Sequence, residues 1–422
     1  MGSFVVEGPV QLSGNVKVSG AKNAALPILA AVPVVKGETI LHNVPRLEDV
    51  FTMIQILERL GISSKWDGNT LILKNEGLQT NEVPYELVRK MRASFNVLGP
   101  ITVSTGEARV PQPGGCAIGV RPVNFHIDGL KKIGFSVEVK HGVVDACVAK
   151  QSEESCKIVS FPQPSVGATE HVMTTAAAVG GLEVMITNAA QEPEIVDLQR
   201  FLNACGAQIE GAGTSTVIVK GTKELVGCEF SIMNDRIEAG TYLIAGAATK
   251  GDVTIEGVEP AHLKALFDVF KRAGVVYEVG DSWVRIVPDG EYRPVHIDVQ
   301  PYPGFPTDLQ PQITTMLSTV EGVSVIREHV FRGRFHHVPE LNRMGASISV
   351  EDGTAVIEGV EKLLGAPVEA TDLRAAAALV IAGLMADGRT VISKIEHIFR
   401  GYEDILEKFK SMGAQIAYLV DE

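Results

Sequence analysis

One cysteine of this chain stands in a segment whose composition suits chemistry. Cys116 lies within residues 111–123, a stretch with three glycines and three prolines, and Arg121 follows it by five positions. Glycine allows backbone conformations closed to other residues and proline stiffens the chain, so this loop can move and still close in a defined shape. A thiol near a cation is a candidate proton donor, although a mobile surface turn with an incidental cysteine fits the same residues.

Length and composition predict a multidomain α/β protein. The chain has 422 residues, of which 45% are apolar and 6% aromatic, and about two to three domains are expected at that length. Its longest apolar stretches fall short of the roughly 18 residues that cross a bilayer, and no basic segment opens the chain. We therefore expect no membrane insertion and a cytoplasmic location.

Charge and cysteine spacing argue against several kinds of partner. The formal net charge of −13 disfavours nucleic acid and anionic membranes, because both select basic surfaces. The five cysteines show neither paired spacing nor the spacing of metal ligands, so we expect no disulfide framework and no metal site. An anionic substrate would need a local cluster of cations.

A repeated helix ending organises the chain. An amphipathic helix runs into glycine and then into an alternating strand, and this pattern recurs at intervals of about 70 residues. Each glycine is expected to cap its helix. The six copies are residues 56–62, 130–135, 201–207, 270–275, 341–346 and 409–414.

Each ending follows an alanine-rich helical run and a β-branched strand, as in residues 374–383 and 389–392. One unit is therefore expected to contain strand, helix, strand, helix and strand. Because a unit of this size cannot bury both helices alone, neighbouring units must share a core. Six units predict two domains of three units each, with helices enclosed by sheets. A repeat of this kind is equally consistent with a solenoid scaffold that binds partners and has no catalytic activity.

Polar residues at the helix starts argue against a scaffold. Helix N-termini attract anions, and arginine there is best explained by an anionic ligand in a cleft that the units share. The first helices of successive units start near residues 22–23, 92–94, 165–169, 235–236, 307–308 and 372–374. The second helices start near Arg46, Arg121, Glu192, His262, Arg334 and Arg400.

Seven short blocks, spread over essentially the whole chain, carry a family resemblance. They are SGAKNAA (19–25), KMRAS (90–94), PGGCAIG (113–119) with RPV (121–123), SVGATE (165–170), YPGFPTD (302–308), ATDLR (370–374) and RGYE (400–403). With these blocks the chain resembles the enolpyruvyl transferases, and among them those that act on a UDP-sugar.

The resemblance implies a fold of two inside-out α/β barrels of three units each, facing across a cleft. The domains would be residues 22–231 and residues 1–21 with 232–422. The implied reaction transfers the enolpyruvyl group of phosphoenolpyruvate to the 3-hydroxyl of UDP-N-acetylglucosamine through a tetrahedral ketal, with release of phosphate. It is the first committed step of peptidoglycan precursor synthesis and needs no metal or organic cofactor.

The resemblance assigns phosphoenolpyruvate to Lys22, Asn23, Arg121 and Arg400, with Lys22 and Arg400 also placed among the catalytic residues. Forked guanidinium donors suit a small, multiply charged anion. Arg334 and Arg374 are further candidates. The plain alternatives are a solvated lysine beside a helix cap and arginines in surface salt bridges.

The UDP-sugar is assigned to a larger set. Asn124 departs from a common form of the motif, which has an acidic residue there, so its contact with uracil or ribose is open. His126 is either a hydrogen-bonding residue of the pocket or structural. The set is Arg92, Arg121, Pro122, Val123, Asn124, Phe125, Ser165, Val166, Gly167, Asp308 and Val330.

Two residues carry the implied proton transfers. Asp308 is the candidate base for the sugar hydroxyl, and its plain alternative is a helix N-cap. A capping carboxylate would be a poor base, because its hydrogen bonds stabilise the ionised form. Cys116 is the candidate acid toward the methylene carbon of phosphoenolpyruvate, with product release and covalent trapping as further possibilities, and the family implies its alkylation by fosfomycin.

Two other functions fit parts of the sequence. The shikimate-pathway enolpyruvyl transferase shares the implied fold and chemistry, but the Pro-Gly-Gly-Cys loop and the Arg-Pro-Val block favour a UDP-sugar acceptor. A catalytically silent paralogue that binds UDP-sugars as a regulator has no reason to carry Lys22, Cys116, Asp308 and Arg400 together.

Overall fold

The structure is a computed structural model that describes residues 2–114, 123–148 and 156–420. Cys116, Arg121 and Pro122 of the predicted site lie outside the described residues.

The described helices and strands alternate along the whole chain. The helices are α1 (Lys22–Ala31), α2 (Glu48–Arg59), α3 (Tyr85–Val88), α4 (Leu98–Thr105), α5 (Asn124–Lys132), α6 (Val166–Ala177), α7 (Pro193–Ala204), α8 (Arg236–Ala248), α9 (Lys264–Ala273), α10 (Gln310–Leu317), α11 (Val338–Arg343), α12 (Leu373–Met385) and α13 (Ile405–Ser411). Short 3-10 helices span Val32–Val34, Arg92–Val97, Pro260–Leu263, Thr307–Leu309 and Ile395–Arg400. The strands are β1 (Gly2–Gly8), β2 (Ser13–Lys17), β3 (Val35–His42), β4 (Ser63–Asp67), β5 (Thr70–Asn75), β6 (Glu107–Pro111), β7 (Phe135–Lys140), β8 (Val143–Val148), β9 (Cys156–Ser160), β10 (Glu183–Thr187), β11 (Gln208–Glu210), β12 (Thr216–Lys220), β13 (Leu225–Val226), β14 (Glu229–Ser231), β15 (Asp252–Glu256), β16 (Tyr277–Val279), β17 (Trp283–Ile286), β18 (His296–Val299), β19 (Val323–Glu328), β20 (Ser347–Glu351), β21 (Thr354–Glu358), β22 (Pro367–Glu369), β23 (Gly388–Ser393) and β24 (Gln415–Val420).

The described chain forms two compact units. The terminal unit comprises residues 2–19 and 234–420, and the central unit comprises residues 20–114, 123–148 and 156–233. The chain passes from one unit to the other at Ser19–Gly20 and again at Met233–Asn234. Each passage lies two residues from the boundary expected from the sequence.

Each unit contains three sheets around three buried helices. The central unit has the sheets β13-β3-β5-β4, with β14 beside β3, β11-β12-β10-β9 and β6-β8-β7, and its inner helices are α1, α4 and α6. The terminal unit has β22-β23-β1-β24, β16-β17-β15-β2 and β18-β19-β21-β20, around α8, α10 and α12. The prediction of three repeats per unit with helices enclosed by sheets is confirmed, with the described strands in separate sheets.

Two strands are exchanged where the chain changes units. By the repeat pattern β2 precedes α1, yet it remains in the terminal unit and pairs in parallel with β15. Likewise β14 precedes α8 but remains in the central unit and pairs in parallel with β3. Each unit therefore completes one of its sheets with the first strand of a repeat whose helices belong to the other unit.

The helix endings follow the repeat predicted from the sequence. At the end of α2 the N–H of Gly61 donates to the carbonyl of Glu58 and the N–H of Ile62 to that of Leu57, which is the Schellman arrangement. Gly61 has a φ of +99°, a conformation that glycine adopts without a steric penalty. The other five repeats also place a left-handed glycine there: Gly134, Gly206, Gly274, Gly345 and Gly413.

The inner helices are buried around most of their circumference. In α12 the residues from Arg374 to Leu384 are all buried, and its alanines keep the helix slim enough to lie among neighbours. Its N-cap Asp372 accepts hydrogen bonds from the N–H groups of Arg374 and Ala375. None of the described helices is both long and apolar enough to cross a membrane.

Candidate active site

In the central unit, Lys22 begins α1 and is buried. Its Nζ lies 3.0 Å from Oδ2 of Asp49, and the two side chains are 11% and 6% exposed. Asp49 stands in the first turn of α2, where the helix dipole favours a carboxylate. The alternative of a solvated lysine beside a helix cap is therefore wrong for Lys22. The neighbouring Asn23 is half-buried.

The predicted UDP-sugar residues of the central unit collect around the starts of α5 and α6. Ser165 is the N-cap of α6 and makes no side-chain cap. A Cβ at Gly167 would lie 3.1 Å from Cε1 of His126 on α5, so this position has room for glycine and little more. His126 is 2% exposed, and Arg92, which begins its own 3-10 helix, is near enough to affect its protonation.

The remaining residues of this set are described except for Arg121 and Pro122. Val123 is buried as the N-cap of α5, and Asn124 is exposed at the first position of that helix. The ring of Phe125 packs on that of Phe161 at a centroid distance of 6.2 Å. Asn124 is thus accessible to a ligand, whereas Val123 is buried.

Sequence reasoning missed a buried polar group behind this surface. Nδ2 of Asn96 donates to Oε2 of Glu170 at 2.9 Å, and His171 follows on the same helix, 1% exposed. Burial raises the pKa of Glu170 to about 8, although the hydrogen bond from Asn96 opposes the shift. The signal available in the sequence was the run Thr169-Glu-His171 inside a helix of mostly small and apolar residues.

We expect the substitution Glu170→Gln to remove a pH-dependent cost of folding. Between pH 4.5 and about 8 the folded chain holds a proton that the unfolded chain has lost, so this group makes stability fall as pH rises through that window. The cost at pH 7 is about 3 kcal/mol. The free energy of unfolding in urea should rise in the variant relative to the wild type between pH 5 and pH 8. The same difference between the two proteins at both pH values would contradict a buried neutral carboxyl.

In the terminal unit, Asp308 is held by two buried arginines. Its Oδ1 accepts from Nη1 of Arg334 at 2.6 Å, and its Oδ2 accepts from Nη2 of Arg374 at 2.9 Å. The side chains of Arg334 and Arg374 are 3% and 2% exposed, whereas that of Asp308 is 26% exposed. The alternative of a surface salt bridge is therefore wrong for both Arg334 and Arg374. The N-cap alternative for Asp308 is also wrong, because Pro306 is the N-cap of this 3-10 helix.

Glu328 ties the Val330 segment to the same place. Its Oε1 accepts from the N–H groups of Val330 and Phe331 at 2.8 and 2.9 Å, and its Oε2 accepts from the hydroxyl of Thr307 at 2.9 Å. Burial raises the pKa of Glu328. The carboxylate thus places Val330 next to the Thr307–Asp308 turn, a contact that no pattern in the sequence indicates.

A hydroxyl network supports Arg374 from behind. The Tyr402 ring lies under the guanidinium at 5.3 Å, and its hydroxyl lies 2.8 Å from Oγ1 of Thr241.

Gly401 packs so closely on Leu373 that a Cβ on Gly401 would lie 2.7 Å from the Leu373 side chain. Arg400, half-buried one residue earlier, therefore lies near the start of α12.

The chain belongs to the family described as EPSP synthase (3-phosphoshikimate 1-carboxyvinyltransferase), whose family model matches residues 6–409. The family resemblance noted from the sequence is thereby confirmed, and it places the chain among the enolpyruvyl transferases.

Within that family the chain is similar to UDP-N-acetylglucosamine 1-carboxyvinyltransferases. That of Thermotoga maritima is 56% identical over 422 residues, and that of Kosmotoga olearia is 50% identical over 422 residues, with all of both chains covered in each case. Among solved structures, the enolpyruvyl transferase NikO from Streptomyces tendae has a TM-score of 0.90 at 26% identity and covers 100% of this chain and 99% of its own. EPSP synthase from Acinetobacter baumannii has a TM-score of 0.76 at 17% identity, with complete coverage of both chains, and supports the fold alone.

Proposed function

We propose that the chain transfers the enolpyruvyl group of phosphoenolpyruvate to the 3-hydroxyl of UDP-N-acetylglucosamine and releases phosphate, in the cytoplasm, as the first committed step of peptidoglycan precursor synthesis. The observation that carries this proposal is the 56% identity, over the full length of both chains, to a relative named for this activity. The arrangement of Asp308 between Arg334 and Arg374 supports the proposal. It places a candidate base beside two cations that can bind an anionic substrate.

The first step is an addition. Asp308 accepts the proton of the sugar 3-hydroxyl while that oxygen bonds to C2 of phosphoenolpyruvate, and the methylene carbon C3 takes a proton. The product is a tetrahedral ketal that retains the phosphate. In the second step the group that protonated C3 takes a proton back from the new methyl group and the C2=C3 double bond re-forms. Phosphate leaves with the electron pair of the C2–O bond and receives the proton that Asp308 took from the sugar. Neither step changes an oxidation state.

The basicity of Asp308 depends on its arginines. Two guanidiniums stabilise the ionised carboxylate and so make it a weak base. A phosphate or carboxylate of the substrate that takes over part of the bonding of Arg334 or Arg374 would weaken that effect and raise the basicity of Asp308. Substrate binding would then prepare the base for the step that needs it.

Phosphoenolpyruvate is a compact multiply charged anion and needs several cations. We assign it to Lys22, Asn23, Arg121 and Arg400, in keeping with the motif blocks that hold them. Lys22 is suited because its burial beside Asp49 keeps the ammonium in one place, and a fixed charge loses little entropy when a ligand arrives.

The UDP-sugar is assigned to the starts of α5 and α6. The first N–H groups of α6 have no partner within their own helix and attract phosphate. Arg92 lies nearby, and Val330 is held beside Asp308 through Glu328.

Cys116 is proposed as the acid that protonates C3. A thiol near pKa 8.5 holds its proton at neutral pH and releases it beside cations. We expect Cys116→Asp to retain turnover, because a carboxyl group can also deliver a proton, and Cys116→Ser to lose about 10²- to 10⁴-fold in rate. Mass spectrometry should find a fosfomycin adduct on the wild type with UDP-N-acetylglucosamine present and none on Cys116→Asp. An inactive Cys116→Asp that still binds both substrates would count against the acid role.

Phosphate release from phosphoenolpyruvate tests the proposed function. The wild type should release phosphate with UDP-N-acetylglucosamine as acceptor and show little release with shikimate 3-phosphate, and the product should carry the mass of the enolpyruvyl ether. Release with shikimate 3-phosphate alone would move the chain to the other branch of the family. Binding of the UDP-sugar without any turnover would favour the silent paralogue.

A further inference from the structure

Two histidines on neighbouring helices form a hydrogen-bonded chain beside the start of α6. The N–H of Gly99 donates to Nε2 of His171 at 2.9 Å, and Nδ1 of His171 lies 3.1 Å from Nδ1 of His126. The ring of Phe95 packs edge-on against both imidazoles, at centroid distances of 5.9 and 5.5 Å. Both rings are thus fixed in orientation.

These contacts determine where the protons are. Burial lowers the pKa of His171 to about 3, and burial, followed by the proximity of His171 and Arg92, lowers that of His126 well below its usual value. Both rings are therefore neutral and carry one proton each. Because Nε2 of His171 accepts from Gly99, its proton is on Nδ1 and is donated to Nδ1 of His126. The proton of His126 is then on Nε2.

The Nε2–H of His126 is a buried donor that faces the start of α6. This nitrogen has no hydrogen-bond partner among the described residues, although His126 is only 2% exposed. A Cβ built at Gly167, the second residue of α6, would lie 3.3 Å from this nitrogen. A buried donor without a partner is costly, and here it adjoins helix N–H groups that favour an anion.

We propose that His171 is a positioning residue, which holds His126 in the Nε2–H tautomer so that this ring donates a hydrogen bond to a diphosphate oxygen of the UDP-sugar at the first turn of α6. The proposal rests on the proposed function for its ligand. It extends that function, because His171 itself touches no ligand and was not among the residues that the sequence singled out.

The substitutions His171→Asn and His171→Leu form a matched pair. The amide of asparagine can place an N–H where Nδ1 of His171 stands and so keep the donor toward His126. Leucine has nearly the same shape and no donor. Both substitutions remove the acceptor of the Gly99 N–H, so the cost of that loss is common to the two variants and is checked by thermal unfolding.

The experiment combines ring ¹⁵N NMR with titration calorimetry of UDP-N-acetylglucosamine. We expect the wild type and His171→Asn to show His126 as the Nε2–H tautomer and to bind alike. His171→Leu should lose the single tautomer and bind about three- to tenfold more weakly, the equivalent of one hydrogen bond. An Nδ1–H tautomer in the wild type, or equal affinity in His171→Leu, would overturn the proposal. Failure of the wild type to bind the UDP-sugar would overturn the proposed function and the ligand named here. The ring spectra would still show whether His171 holds His126 in the Nε2–H tautomer.

Discussion

The substitution Asp308→Asn is expected to lower kcat by about 10²- to 10⁴-fold, the usual contribution of a general base, with a much smaller change in KM. It should also destabilise the terminal unit, because Arg334 and Arg374 are 3% and 2% exposed and share this carboxylate. The expected cost is about 1 to 3 kcal/mol, below the value for a fully buried pair, since the Asp308 side chain is 26% exposed. Steady-state kinetics and urea unfolding measure the two effects separately.

Thr241→Val is the matched control for Asp308→Asn. It removes a buried hydroxyl that pairs with Tyr402 and accepts from the side chain of Gln312, at a cost of about 1 to 3 kcal/mol, and it leaves the carboxylate in place. We expect this variant to keep most of its turnover. If it loses as much turnover as Asp308→Asn at the same loss of stability, the effect at Asp308 is structural and the base must lie elsewhere.

Lys22→Met is expected to lower kcat/KM for phosphoenolpyruvate by about 100-fold, because it removes a charge-assisted contact to the anion. It should also cost about 3 to 5 kcal/mol in stability, since Asp49 is 4% exposed and loses its ion pair with Lys22. The two effects have different causes, and both are measurable, by kinetics with varied phosphoenolpyruvate and by chemical unfolding.

The double variant Lys22→Met/Asp49→Asn separates the two causes. Asparagine removes the buried charge and should recover most of the lost stability, while kcat/KM for phosphoenolpyruvate stays low. Recovery of turnover together with stability would show that Lys22 acts only through Asp49 and has no part in binding the substrate.

Local patterns in the sequence predicted much of the fold. The six left-handed glycines lie where the repeat placed them, and the starts of α1, α6, α8 and α12 fall at the predicted polar residues. These features depend on residues three or four positions apart, so they are encoded locally. The exchange of β2 and β14 between units is different, because it depends on which of two equivalent sheets a strand joins, and period-two alternation is the same in both.

The sequence by itself determined the repeat, the division into two units of three, the family and the residues that stand at the helix starts. Only the tertiary structure decided what those residues touch. It joined Asp308 to Arg334 and Arg374, 26 and 66 positions away, and it set His171 against His126 across 45 positions. Contacts at such separations follow from how whole helices pack, and burial there fixes charge and tautomer in ways that no local spacing reveals.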